Sequence, residues 1–112
     1  MKRYAVALTE NALLDLDDIA QYIATHDTPQ KAEYVARGIE SAFASLAVLP
    51  NRGAHPRELL EMGNRHFREA HFKPYRIVYR VHDREIVVFI IADGRRDMRT
   101  LLARRLLGAQ LG

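Results

Sequence analysis

The chain has 112 residues, of which 48% are hydrophobic and 28% are charged, and it contains no cysteine. This length is enough for one domain with a real core but not for two, and without cysteine no disulfide framework, zinc finger or thiol nucleophile can form. No run of 18 apolar residues occurs, which excludes a transmembrane helix, and the apolar run after the basic N-terminus is too short for a signal peptide. We therefore expect a single domain spanning residues 1–112 in the cytoplasm.

The basic charge is confined to the C-terminal half of the chain. Residues 1–64 carry six Lys or Arg against nine Asp or Glu, whereas residues 65–112 carry eleven against five, so the net charges are −3 and +6. Ten of those eleven cations are arginine, whose planar guanidinium binds carboxylate or phosphate in a two-pronged contact. The distribution predicts an anionic partner, although a charge excess can also serve only to keep a surface solvated.

The N-terminal half predicts a short strand followed by two helices. We expect the strand over residues 2–8, after which Thr9 is a good N-cap for the first helix. Thr28 and Pro29 should then begin a second helix that stops before Pro50. Both helices carry an apolar stripe, formed by Ala12, Leu16, Ile19, Ala20 and Ile23 in the first and by Ala32, Val35, Ile39, Ala42, Phe43, Leu46 and Leu49 in the second. The short connection between them predicts an antiparallel helical hairpin.

The C-terminal half predicts three strands. Residues 57–62 could form a helical turn or an extended segment, whereas residues 65–72 have the pattern of a strand. Over residues 75–82, charged and apolar positions alternate, which predicts a strand with one buried face. Residues 86–91 are apolar on both faces and should form a central strand. The alternation assigns Tyr75, Ile77, Tyr79 and Val81 to one face and Arg76, Arg80 and His82 to the other. Burial of the first set would direct the arginines outward as a row on a rigid sheet.

A final helix is predicted over residues 98–107, with Asp97 as its N-cap and Gly108 as its C-cap. The order of elements is then β-α-α-β-β-β-α, an α+β fold in which the helical hairpin packs on a small, mainly antiparallel sheet. Because the C-terminal helix is short and amphipathic, it could dock on a partner more easily than the core.

Five short motifs occur in order along the chain. They are Leu16-Asp17-Asp18-Ile19, Leu46-Ala47-Val48-Leu49-Pro50, Arg68-Glu69, Tyr75-Arg76-Ile77-Val78-Tyr79 and Gly94-Arg95-Arg96-Asp97. Together with the order of elements, they resemble the RelE/ParE superfamily of small bacterial toxins from type II toxin–antitoxin modules, over nearly the whole chain. That superfamily contains RelE-like ribonucleases, which cut mRNA on the ribosome, and ParE-like toxins, which poison DNA gyrase. The fold alone therefore does not decide the function.

The C-terminal segment separates the two classes. RNA cleavage needs cations at the scissile phosphate and groups that transfer protons, and Arg76 and Arg96 match two functional arginines of RelE-like enzymes. The tyrosine of those enzymes falls at about Leu102 here, and leucine transfers no protons. The leucine-rich ending after Arg96 and the long helical hairpin resemble ParE more closely.

The resemblance implies a ParE-like toxin of a plasmid-stabilisation module, which inhibits DNA gyrase by binding and needs no cofactor. It also implies a small ParD-like antitoxin that neutralises the toxin in a hetero-oligomeric complex, with no membrane involved. The arginines expected to contact the target or the antitoxin are Arg68, Arg76, Arg80, Arg95 and Arg96. Arg76 could instead pair with a carboxylate such as Glu69 or Asp97 and hold the sheet to the last helix.

The alternative function is that of a RelE-like, ribosome-dependent mRNA interferase. In that case Arg68, Arg76 and Arg96 would hold phosphate and His71 would transfer protons, since histidine titrates near neutrality. The sequence places no tyrosine or carboxylate partner beside His71. A third possibility is a decayed toxin that only binds its antitoxin.

No metal site is expected from the sequence, because the spacing of His, Asp and Glu does not fit a set of metal ligands. Asp15, Asp17 and Asp18 lie close in sequence, but they face different directions around a helix. We therefore expect them on a wet surface.

Overall fold

A computed structural model describes residues 3–107, and the chain folds as α+β within that range. In chain order, the elements are β1 (Ala5–Leu8), α1 (Glu10–His26), α2 (Pro29–Val48), α3 (Arg57–Glu61), β2 (Arg68–Phe72), β3 (Tyr75–His82), β4 (Glu85–Asp93) and α4 (Met98–Leu102), and α4 continues as a π-helix (Ala103–Leu107). None of the helices in this range is long and apolar enough to cross a membrane.

The four strands form one sheet in the order β1-β4-β3-β2. β1 pairs with β4 in parallel, whereas β4 with β3 and β3 with β2 are antiparallel. The prediction of a mainly antiparallel sheet with residues 86–91 in its centre is therefore confirmed. β1 and β2 are the edge strands.

Helices cover both faces of the sheet, so the domain has two apolar cores. The helical hairpin of α1 and α2 packs on one face, where it buries Ile39 and Leu46 against Tyr79 and Ile86. On the opposite face, α3 and α4 pack over a second core. Its buried members are Leu59, Phe67, Val78, Ile90, Ala92, Met98, Leu101, Leu102 and Leu106.

The predicted helix starts are confirmed by their caps. The Thr9 hydroxyl accepts a hydrogen bond from the backbone N–H of Ala12 at 3.1 Å, and the Thr28 hydroxyl accepts one from Lys31 at 3.0 Å. Asp97 caps α4 in the same way. Each side chain satisfies a backbone N–H that the first turn of a helix leaves without a partner.

Several boundaries differ from the prediction. β1 begins at Ala5 and β2 at Arg68, later than expected, and the undecided segment after the hairpin is the helix α3. The last predicted helix is α-helical only as far as Leu102. Gly108, its predicted C-cap, lies outside the described residues.

A β-bulge in β4 distributes its apolar run between the two cores. Tyr79 pairs with Val88 but Val78 pairs with Ile90, so Phe89 is an extra residue opposite β3. The extra residue reverses the alternation of side chains. As a result, Val88 packs under the helical hairpin, whereas Ile90 packs under α4.

Candidate functional site

Arg76 lies inside the protein rather than on its surface. Its side chain is only 16% exposed, and its guanidinium donates to both carboxylate oxygens of Glu58 at 2.8 Å and to those of Glu69 at 2.6 and 3.2 Å. Glu58 belongs to α3 and Glu69 to β2, so the arginine ties α3 to the sheet. The predicted outward row of arginines is therefore wrong at Arg76, and the alternative of pairing with Glu69 is confirmed.

The same contacts fix the charges of this cluster. Hydrogen bonds from Arg76 lower the pKa of Glu58 from 4.5 to about 2, although burial opposes this shift. The hydrogen bonds to Glu58 in turn raise the pKa of Arg76. Four contacts to carboxylate oxygens occupy most of the five N–H donors of a guanidinium. In this state, Arg76 has little capacity left to bind a phosphate.

His71 lies beside this cluster and has a carboxylate neighbour that the sequence did not reveal. Its Nε2 is 3.2 Å from Oε1 of Glu69, and its side chain is 56% exposed. The same Oε1 accepts the 2.6 Å hydrogen bond from Arg76. Glu69 is thus shared between a buried cation and an exposed imidazole, and its main interaction is with the arginine because charge-assisted hydrogen bonds are the stronger ones.

The C-terminal helix packs against the sheet and α3 as part of the second core. Leu102 is completely buried, and Met98, Leu101 and Leu106 join it in the second core. Arg99 of α4 also pairs with Glu61 at the end of α3. The apolar face of the helix is therefore already occupied by the sheet and by α3.

Arg68 is held by the loop that follows α2. Its guanidinium donates to the carbonyl of Gly53 at 2.7 Å and to that of Asn51 at 3.3 Å. The buried Tyr79 hydroxyl fixes the same loop by donating to the carbonyl of Pro50 at 2.8 Å and accepting from the N–H of Gly53 at 3.1 Å. Arg68 thus closes the loop over the edge strand β2.

The remaining predicted arginines are more accessible. Arg80 is half-buried, with its guanidinium 6.0 Å from the centre of the Phe67 ring. Arg95 and Arg96 are exposed in the loop between β4 and α4. Arg95 pairs with Asp93 at 2.5 Å and lowers the pKa of that carboxyl group, whereas Arg96 forms no salt bridge within residues 3–107. The structure therefore does not gather the five predicted arginines in one site.

An ion pair between Asp15 and Arg105, which the sequence did not predict, binds backbone groups at the outer edge of β4. Asp15 accepts two hydrogen bonds from Arg105, at 3.0 and 3.2 Å, and another from the backbone N–H of Ile91 at 3.1 Å. Arg105 also donates to the carbonyl of Phe89 at 2.9 Å. The expectation that Asp15 lies on a wet surface is wrong, because its carboxylate satisfies a backbone N–H beyond the end of β1.

A groove continues from this ion pair along the edge of β4. Its volume is about 630 Å³, and it runs between α1 and the loop that carries Arg95 and Arg96. Apolar side chains, among them Ile19, Tyr22 and Tyr75, line it together with the carboxylates of α1. Local sequence patterns could not predict this groove, because it joins residues separated by more than fifty positions.

Within residues 3–107, His, Asp and Glu side chains do not form a group of three or more that could hold a metal ion.

Comparison with known proteins identifies a family. Residues 6–98 match the family described as the ParE toxin of the type II toxin–antitoxin system parDE. The toxin ParE3 of Caulobacter vibrioides is 29% identical over 91 residues, which are 81% of this chain and 87% of that protein.

Two solved structures share the fold. The first, a chromosomal ParDE toxin–antitoxin system from P. aeruginosa, has a TM-score of 0.66 and 22% identity, and the match covers 81% of this chain and 96% of the other. The second, the toxin–antitoxin complex RelBE2 from Mycobacterium tuberculosis, has a TM-score of 0.56 and 24% identity, with coverage of 81% and 98%. At these identities the structural likeness concerns the fold alone, and the family assignment comes from the match over residues 6–98.

Proposed function

Since the chain belongs to the ParE family of type II toxin–antitoxin toxins, we propose that it inhibits DNA gyrase by binding and that a cognate ParD-like antitoxin neutralises it. The observation that carries the proposal is the family match, which extends over residues 6–98. The two structural neighbours are themselves described as toxin–antitoxin systems or complexes, which supports an antitoxin partner here.

The buried position of Arg76 favours inhibition by binding over RNA cleavage. An arginine that stabilises the extra charge of a phosphate in a transition state must direct free donors toward it. Here Glu58 and Glu69 hold the guanidinium, and α3 covers it. Phosphate binding would require this cluster to open and two buried carboxylates to lose their counter-charge, which is costly.

The C-terminal helix supports the same conclusion. RelE-like enzymes carry a tyrosine at about the position that Leu102 occupies here. Leu102 is buried, and its side chain has no group that exchanges protons.

His71 and Glu69 are in contact, but Glu69 already accepts a hydrogen bond from Arg76. The pair thus lacks the accessible second group that general acid–base catalysis would need.

On this account, the arginines have different roles. Arg68 and Arg76 stabilise the fold, whereas Arg80, Arg95 and Arg96 are accessible enough to contact gyrase or the antitoxin. Contacts between exposed charges are screened by salt. We therefore expect target or antitoxin binding through these side chains to weaken as ionic strength rises.

A side-by-side assay of the purified toxin tests the proposal. One arm measures supercoiling by gyrase and quantifies trapped, cleaved DNA; the other measures the integrity of mRNA during translation. We expect supercoiling to stop while mRNA stays intact, and we expect added antitoxin to restore supercoiling. Codon-phased cuts in mRNA with unaffected gyrase would instead support the interferase function, with His71 or an arginine carrying out the proton transfer.

A further inference from the structure

Besides the groove along β4, the protein has a cleft between α2 and the outer edge of β2. Its volume is about 340 Å³, which is in the range of small-molecule binding sites. Helix α2 forms one wall, residues 52–54 of the following loop form a second, and residues 69–71 of β2 form the third.

Two side chains bring hydrogen-bond donors to this cleft. The guanidinium of Arg52 is exposed and donates to the hydroxyl of Ser45. This contact needs only one of the five N–H groups of the guanidinium, and it does not use the hydroxyl hydrogen of Ser45. Both residues line the cleft, so both side chains can donate to the same bound anion.

The free edge of β2 supplies a third donor. In an antiparallel pair, successive residues direct their N–H groups alternately toward and away from the partner strand. Glu69 directs its N–H away from β3, because it donates to the carbonyl of Ala54 at 2.8 Å. His71, two residues later on the same strand, therefore directs its N–H the same way. The loop pairs with β2 only at Glu69, so within residues 3–107 the N–H of His71 has no backbone partner.

The charges around the cleft favour an anionic ligand. Glu69 also lines it, but both oxygens of this carboxylate accept hydrogen bonds from Arg76, and the side chain is only 10% exposed. Arg68 adds a further positive charge beside the cleft, where it donates to the loop. The guanidiniums of Arg52, Arg68 and Arg76 thus outnumber the carboxylates of Glu58 and Glu69. A surplus of positive charge in a cleft attracts anions.

The shape of the donor set matches a phosphate group better than a carboxylate. A guanidinium binds phosphate in a two-pronged contact, and the tetrahedral arrangement leaves further oxygens to accept from Ser45 and from the N–H of His71. A carboxylate has only two oxygens to share among these donors. The cleft is also larger than a phosphate ion, and its remaining wall is apolar, formed by Ala42, Leu46 and Ala70. That wall provides room for the sugar or the base of a nucleotide.

We propose that this cleft binds the phosphate group of a nucleotide, with Arg52, Ser45 and the backbone N–H of His71 as the donors. The nucleotide is either free or part of a DNA strand, since both carry the same phosphate ester. The site binds its ligand without making or breaking a bond. It goes beyond the proposed function, because neither gyrase nor the antitoxin takes part in it.

Titration of the full-length toxin with thymidine monophosphate, followed by NMR, tests the location. The amide signals of isotope-labelled toxin are recorded as the nucleotide is added. We expect saturable shifts of the amides of Gly53, Ala54 and His71 and of the side-chain signal of Arg52. Shifts that do not saturate, or that saturate elsewhere on the protein, would overturn the proposal.

Three variants test the donors. Arg52→Ala should weaken the binding of thymidine monophosphate roughly tenfold or more, because charge-assisted hydrogen bonds are lost. Ser45→Ala, which keeps every charge, should weaken it roughly threefold. Arg37→Ala is the matched control, because Arg37 is an exposed arginine of α2 that pairs with Glu33 and does not line the cleft. It should change the affinity by less than about twofold.

The control decides how a loss of affinity is interpreted. Equal losses in Arg52→Ala and Arg37→Ala, with both variants folded by circular dichroism, would mean that the nucleotide responds only to net charge, and the site would be refuted. An unchanged affinity of Ser45→Ala would remove the hydroxyl from the donor set and contradict the proposed geometry.

Further ligands test the chemistry and identify the source of the phosphate. Acetate or unphosphorylated thymidine that binds as tightly as thymidine monophosphate would overturn the assignment of a phosphate site. A short single-stranded DNA that shifts the same amides and binds more tightly than the monophosphate would identify DNA as the source, whereas weaker binding of DNA would identify a free nucleotide; both results support the site. Because these titrations use the toxin alone, a toxin that leaves gyrase unaffected can still bind the nucleotide, and the two proposals fail separately.

Discussion

Removal of the Arg76 side chain tests whether this residue stabilises the fold or acts on a target. In Arg76→Ala, Glu58 and Glu69 lose the hydrogen bonds of 2.6 to 3.2 Å that now balance their charges. Breaking a buried ion pair by removing one partner costs about 3–5 kcal/mol. Both side chains of the pair with Glu58 keep some contact with solvent, at 16% and 13% exposed, so we expect a loss near the lower end, about 3 kcal/mol.

Thermal and urea unfolding of the purified toxin would measure this loss. For a domain of this size, each kcal/mol lowers the Tm by about 4 °C, so Arg76→Ala should melt on the order of 10 °C below the wild type. Arg80→Ala is the matched control on the same strand, because Arg80 stacks near Phe67 and pairs with no carboxylate within the described residues. It should cost less than about 1 kcal/mol.

Acid titration gives an independent measure of the same ion pair. The pKa of Glu58 is lowered from 4.5 to about 2 in the folded state. The stabilisation is therefore fully present above pH 4.5 and is lost as the pH falls toward 2. Since solvent partly screens the pair, we expect the free energy of unfolding to fall by about 1–2 kcal/mol across that window. Arg76→Ala should lose this part of the pH dependence.

Cell survival after expression of the same variants completes the test. If Arg76 is structural, toxicity should fall only in proportion to the loss of folded protein. If Arg76→Ala melts within about 2 °C of the wild type and keeps the acid dependence of its stability, yet loses all toxicity, this reasoning is refuted.

Three further predictions concern the fold. Gly38→Ala should destabilise the toxin by about 1–3 kcal/mol in thermal melts, because the new Cβ would lie 2.2 Å from the Phe72 ring; a companion Phe72→Leu substitution should recover part of the loss. Tyr79→Phe should cost about 1–2 kcal/mol in urea unfolding because its buried hydroxyl makes two hydrogen bonds to the loop after α2, and an unchanged midpoint would show that these bonds do not stabilise the loop. Asp15→Ala should release Arg105 and the N–H of Ile91, so amide hydrogen exchange should accelerate in the C-terminal helix and in β4; unchanged protection there would show that the ion pair does not hold them.

The sequence predicted well those features that local chemistry determines. Thr9, Thr28 and Asp97 cap helices because a short oxygen-bearing side chain at that position satisfies the first turn. The alternation in β3 correctly assigned Ile77 and Tyr79 to the core under the helical hairpin. The motifs in order along the chain were sufficient to indicate the superfamily.

The features that the sequence did not predict depend on contacts between distant residues. The apolar run of β4 contains no polar residue, so the sequence does not show which side chains face which side of the sheet. The β-bulge at Phe89 could therefore not be predicted. Asp15 and Arg105 are 90 positions apart, and neither lies in a pattern that indicates a partner. Arg76 could be placed on a face of its strand, but its burial depends on α3, whose segment had no clear helical pattern.

Binding of the toxin to purified gyrase tests the central proposal most directly. Titration of gyrase with the toxin by calorimetry, in the absence of antitoxin, should show saturable binding that weakens as salt rises. Antitoxin added in excess should abolish that binding, since it neutralises the toxin. If gyrase shows no binding at any accessible concentration while the same toxin preparation still cuts mRNA in a translation reaction, the proposed target is wrong.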